Sequence, residues 1–197
     1  THRLLRYPGI LSADRCVARL RQGLGVEEIR GATREVLMAE VLARMNEWAM
    51  TSEVPVFGLY HPGEDRCFLL TLQDEYEQYA ALADKPRVLR SLDVVVLSEL
   101  LINDLLELDH HRITTEKLIS YFSDPDEAID VAVKRSVDEE GSTQLLFLLN
   151  PTRVSQVTAV ADSGQIMPHK STYFFPKILT GLLINKLEAG ERITRPE

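Results

Sequence analysis

The sequence predicts an α+β fold, a mixed β-sheet with helices packed against it. Three observations carry that expectation. Strand-like and helix-like hydrophobic patterns alternate irregularly along the 197 residues, without the regular strand–helix repeat of a parallel α/β protein. Residues 54–60 and 67–72 are rich in β-branched and aromatic side chains and flank His61-Pro62-Gly63, so 54–72 reads as a β-hairpin. A second β pair is expected near the C-terminus, 171–175 against 182–187. Residues 1–187 are expected to form one domain, with 188–197 a flexible tail.

Charge and composition narrow the function classes. Apolar residues make up 45% and charged ones 26%, an ordinary globular mixture. With 22 Lys and Arg against 30 Asp and Glu, the net charge is −8. An acidic surface without a basic run repels phosphate backbones, so no nucleic-acid partner is expected. The apolar runs are too short to cross a bilayer, and no basic-then-apolar leader opens the chain, so neither a membrane nor a secretory route is expected. Cys16 and Cys67 stand far apart without a CxxC pattern. Two reduced, buried thiols in a cytoplasmic protein is the reading they favour.

In chain order, Ser12 is a good N-cap for a short helix at 13–21, ended by Gly23-Leu24-Gly25. Residues 26–30 read as a brief strand. Thr33 starts a long helix with Leu37, Val41, Met45 and Trp48 on one stripe. In the hairpin, Pro55 belongs at a strand start or an edge, and His61 is expected as a solvated turn residue. An acidic helix follows at 74–83, then a surface loop at 84–87. Ser91 or Asp93 is expected to cap the most apolar helix, 94–108, with Glu99, Asn103 and Glu107 as its outward polar stripe. A helix so apolar either runs through the core or lends a face to a homodimer. His110, His111 and Arg112 are expected at that helix's C-terminus, and adjacent histidines without Cys or carboxylate company predict no metal site.

Residues 119–122 read as a strand. Ser123-Asp124-Pro125-Asp126 then starts a helix at 127–137, with Ile129 and Val133 inward. After a loop at 138–143, the continuous apolar run 144–149 reads as a strand buried on both faces. It ends at Asn150-Pro151-Thr152-Arg153, where Asn150 is the expected N-cap and Pro151 the first residue of a helix running through 154–161. The helix start at Ser123 carries Asp124, Asp126 and Glu127, which neutralise its positive dipole end. The one at Asn150 has no acid in its first turn and adds Arg153, so it is the better anion site.

That corner leads into the densest polar stretch, 161–187. Gly164 to Ser171 nearly spells a phosphate loop but fails it. His169 replaces the second glycine, Pro168 removes an N–H, and a helix rather than a strand precedes it. If 171–175 is extended, Lys170 and Thr172 share one face while Ser171 and Tyr173 share the other. Lys177 and Thr180 follow. Arg153, Lys170 and Lys177 are expected to converge on a small anionic ligand bearing phosphate or carboxylate, with Asn150, Thr152, Ser171, Thr172, Tyr173 and Thr180 supplying hydrogen bonds. The alternative for the same residues is a twisted hairpin with lysines at its wet ends.

The pattern PxKSTYFxPKxxTGLxxN, filled here by Pro168, Lys170 to Phe174, Pro176, Lys177, Thr180 to Leu182 and Asn185, resembles the C-terminal signature of the bacterial domain-of-unknown-function family numbered 1015. THRL at the start and LLNPTR at 148–153 are similar to further motifs of that family. The resemblance implies the C-terminal part of a longer protein. By analogy with small-molecule kinases it also implies a nucleotide-dependent phosphotransfer enzyme handling a small anionic substrate. The competing reading is a non-catalytic binding or assembly module that forms a homodimer through helix 94–108. No catalytic residue and no cofactor can be assigned from the sequence.

Overall fold

The computed structural model describes residues 1–73 and 79–172. A six-stranded sheet in the order β2-β4-β3-β6-β1-β5 forms its middle layer. The strands are β1 (His2–Pro8), β2 (Leu24–Ile29), β3 (Val56–His61), β4 (Arg66–Leu72), β5 (Ile119–Phe122) and β6 (Ser142–Leu149). Every described pairing is antiparallel, so the α+β class is observed with an antiparallel rather than a mixed sheet. The expected hairpin is β3–β4, with Tyr60 opposite Cys67 and Phe57 opposite Leu70. The expected C-terminal β pair and tail lie outside the described residues.

Helices cover both faces of the sheet, which explains the uninterrupted apolar run of β6. Leu145, Phe147 and Leu149 pack into one core and Leu146 and Leu148 into the other, because successive side chains alternate across a strand. Helices α2 (Arg34–Thr51) and α6 (Pro125–Asp138) cover the second face. On the first lie α1 (Ala13–Leu20), the short α3 (Arg87–Arg90) and α4 (Asp93–Val95), which continues into a π-helix (Val96–Leu105). Helices α5 (His110–Thr115) and α7 (Val154–Asp162) complete the set described. Gly58 on β3 admits α2 closely: a Cβ there would lie 3.1 Å from both Leu148 and the Met45 sulfur.

Caps follow local chemistry. The Ser12 hydroxyl accepts from the Arg15 N–H at 3.4 Å and the Thr33 hydroxyl from the Val36 N–H at 3.4 Å. At α6 the cap is Asp124 rather than Ser123, its carboxylate accepting from the Asp126 and Glu127 N–H groups.

Several expectations are corrected. His61 is buried, and its Nε2 donates to the Leu11 carbonyl at 2.9 Å, because α1 folds back over the hairpin turn. The apolar segment is a π-helix for most of its length, closed by bonds such as Leu106 N–H to Leu101 O at 2.9 Å, and neither Ser91 nor Asp93 caps it. Leu97, Leu100, Leu101 and Ile102 are all in the core, so this helix is interior. Glu99 is not a free solvated group: it is shielded and paired with Lys85 Nζ and His110 Nε2, each at 2.9 Å. His110 to Arg112 open α5 rather than close the preceding helix, with Asp109 as their N-cap. Of the expected acidic helix, residues 74–78 lie outside the described residues, and Ala80–Leu82 forms a single 3-10 turn.

Candidate functional site

The antiparallel pairing of β1 with β6 places the start of one beside the end of the other. There the Leu149 N–H donates to His2 Nδ1 at 3.2 Å, which leaves the imidazole proton on Nε2. Immediately beyond, β6 turns into 150–153 and the start of α7. A cavity of about 380 Å³ opens at this corner, walled by Leu42 and Asn46 of α2, the start of α6, the first turn of α7, and Ser171 and Thr172. Its volume suits a small molecule.

The cavity wall is mostly apolar, with hydrogen-bonding groups set into it. Leu42, Leu149, Val154 and Val157 supply the first part; His2, Asn46, Asn150, Thr152, Ser171 and Thr172 are in the second. Among the described lining residues there is no Asp or Glu, in a chain carrying thirty of them. Burial pulls the His2 pKa down to about 4, so its ring is neutral at physiological pH. The Thr152 hydroxyl donates to the Ser171 carbonyl at 2.9 Å and ties the two walls together. Ser171 is 2% exposed, and its Oγ has no hydrogen-bond partner among the described residues. A buried hydroxyl left unsatisfied costs roughly 1–3 kcal/mol, so it calls for a partner.

A smaller pocket of about 40 Å³ adjoins this one and shares Asn150 and Pro151 with it. Arg153 lines it and faces Glu53 at 3.6 Å. Asp93 lies in the same wall. Burial pushes its pKa up to about 6, against the opposing pull of the Arg153 charge. The Arg153 N–H is capped by the Gln156 side chain at 3.0 Å.

Of the residues expected to bind a ligand, Asn150, Thr152, Ser171 and Thr172 line one cavity, and Arg153 lines its neighbour. Lys170 lines neither; its Nζ lies 4.4 Å from the centroid of the Tyr121 ring. Tyr173, Lys177 and Thr180 lie outside the described residues. Two local expectations fail. Asn150 is not an N-cap, since α7 begins after Arg153 and the Asn150 Nδ2 instead donates to the Met45 carbonyl at 3.2 Å. Lys170 is not extended: its φ of 54° places it in the left-handed region, so strand alternation does not run through it. The sequence reading also overlooked His2, Arg3 and Asn46. His2 and Arg3 belong to the THRL motif, and treating it as a strand would have placed them on opposite faces of the sheet.

Fold and site together define the class: a three-layer α+β protein with a ligand-sized cavity where two neighbouring strands meet a helix start. No protein-family model matches the chain, and no curated protein or solved structure matches it. The resemblance to family 1015 therefore rests on the quoted motifs alone. Among the described residues, no group of three or more His, Cys, Asp or Glu side chains is placed to hold a metal ion, and no helix is long and apolar enough to cross a membrane.

Proposed function

We propose that this chain binds a small anionic ligand in the cavity at the β1–β6 corner. The observation that carries this reading is Ser171, a residue of the cavity wall whose buried hydroxyl has no partner among the described residues, in a lining whose described residues include no carboxylate. The first turn of α7 adds an unneutralised helix start beside Thr152. The apolar part of the wall favours a ligand with a hydrocarbon part over a bare ion. A carboxylate or phosphate group would take hydrogen bonds from hydroxyls and backbone N–H groups, and phosphotransfer on such a substrate is the activity the family resemblance adds. The assembly reading rested on an exposed apolar helix. That helix is interior here, so no observation favours the dimer.

Thermal-shift titration with pyrophosphate, ATP, ADP and small dicarboxylates tests the proposal. A ligand at a hundredfold over its Kd should add about 2.7 kcal/mol of stability. Ser171→Ala should weaken the same ligand about fivefold, the worth of one hydrogen bond. Without ligand the variant should be as stable as the parent or more so, because it removes an orphaned group. Equal affinity in both proteins, or no response to any of these anions, would remove the proposal.

A further inference from the structure

Arg3 is the most deeply buried guanidinium described, at 4% exposed, and among the described residues no carboxylate pairs with it. On β1 it faces the opposite way from His2, toward the layer holding the π-helix. Its Nη1 donates to the Ser98 hydroxyl at 2.5 Å, and Ser98 in turn donates to the Val94 carbonyl at 2.8 Å. Its Nε has no hydrogen-bond partner among the described residues. Tyr121 stands directly across on β5, with the Arg3 guanidinium carbon 5.6 Å from its ring centroid. Lys170 Nζ lies over the same ring at 4.4 Å. Both cations are within cation–π reach of one tyrosine.

Two positive groups on one ring repel each other, and a ring quadrupole does not neutralise them. Buried charges are ordinarily paired, since desolvation is otherwise uncompensated. Carboxylates are plentiful in this chain, and among the described residues they pair with Arg6, Arg19, Arg34, Arg44, Arg66 and other cations but not with these two. Lys170 is also held there against its backbone preference. It keeps a left-handed φ of 54°, while Thr1 Oγ1 donates to its carbonyl at 2.7 Å and the next N–H closes a turn onto Pro168 at 3.2 Å. Among the described residues β5 is the outermost strand on this side of the sheet, and the exposed Lys170 gives the cluster its access to solvent.

We infer that Arg3 and Lys170, gathered on Tyr121, form an anchoring site for a phosphate group, with the guanidinium as the fixed donor and the lysine as the mobile one. It lies across the sheet from the side His2 faces, and it does not depend on the cavity's occupancy. The guanidinium's planar fork suits phosphate oxygens, and the ammonium supplies a second charge. A free phosphate ion and a phosphate monoester share this chemistry.

Isothermal titration with inorganic phosphate and with glycerol 3-phosphate, at low ionic strength, tests the assignment and separates the two sources. One phosphate should bind per chain. Lys170→Gln, at an exposed position and neutral to folding, should weaken binding at least tenfold. Arg3→Gln should do the same, and Arg3→Lys should recover part of it; circular dichroism of each variant checks that it is folded. Lys134→Gln, at an exposed lysine outside both sites, should bind as the parent does. No heat with either compound at millimolar concentration, or unchanged affinity in Lys170→Gln, would overturn the site. Loss of binding in Ser171→Ala alone would move the anion into the cavity and equally overturn it, while leaving the cavity reading intact.

Discussion

His2 gives a prediction whose size follows from its surroundings. Its Nδ1 accepts the Leu149 N–H and its ring is buried, so protonation in the folded state would break that bond and place a charge in the core. Its pKa of about 4 lies below the ordinary histidine value of 6.5. Above pH 6.5 neither the folded nor the unfolded chain binds this proton. Below it the unfolded chain is protonated first, so stability is lost as the pH falls toward 4. The full displacement is worth about 3 kcal/mol. About 2 kcal/mol of it should be gone by pH 5. In His2→Asn the amide oxygen can still accept the Leu149 N–H, but the titrating site is gone. Urea unfolding of both proteins at pH 7.5 and pH 5 gives the comparison. The parent should lose about 2 kcal/mol more than the variant between the two values. Equal losses, or a His2 ring titrating near 6.5 by NMR, would refute the reasoning.

Asp93 should behave with the opposite sign. Its folded pKa of about 6 is raised, so its burden on stability is relieved as the pH falls through 6. Asp93→Asn should therefore stabilise the protein by up to about 3 kcal/mol at pH 7.5, and this advantage should shrink by about 1 kcal/mol at pH 5. Leu101→Ala should cost about 3 kcal/mol in chemical unfolding, independent of protein concentration, because Leu101 is wholly buried within one chain. Cys16 and Cys67, buried and pushed up to about 12, should resist thiol reagents in the native state and react fully in denaturant.

Much of the fold was legible where local chemistry is decisive. Ser12 and Thr33 cap the helices expected of them, and the turn at 61–65 joins the two expected strands. The unbroken apolar run of β6 announced burial on both faces, though not whether its neighbours run parallel or antiparallel. Strand β1 left no such trace. His2 and Arg3 are polar groups drawn into the interior by partners remote in sequence, Leu149 and Ser98, and hydrophobic periodicity cannot register them. The π-helix was equally hidden, since its apolar side chains suit an α-helix as well and only the backbone bonding differs. At the site, Thr152 and Ser171 were found from their density of polar groups. Their joining through Thr152 Oγ1 and the Ser171 carbonyl required the chain to fold. The convergence of Arg153 with Lys170 misled because sequence proximity ignores Glu53, which takes Arg153, and Tyr121, which takes Lys170.

Amide chemical-shift mapping during titration with pyrophosphate and with succinate tests the central claim most directly. The cavity reading predicts that at least one of them shifts His2, Thr152, Val154, Ser171 and Thr172 together, with saturation at one equivalent and no change at Asp14 and Arg66, at the hairpin-turn end of the sheet. Saturable shifts confined to other faces, or spectra unmoved by either anion at millimolar concentration, would contradict it.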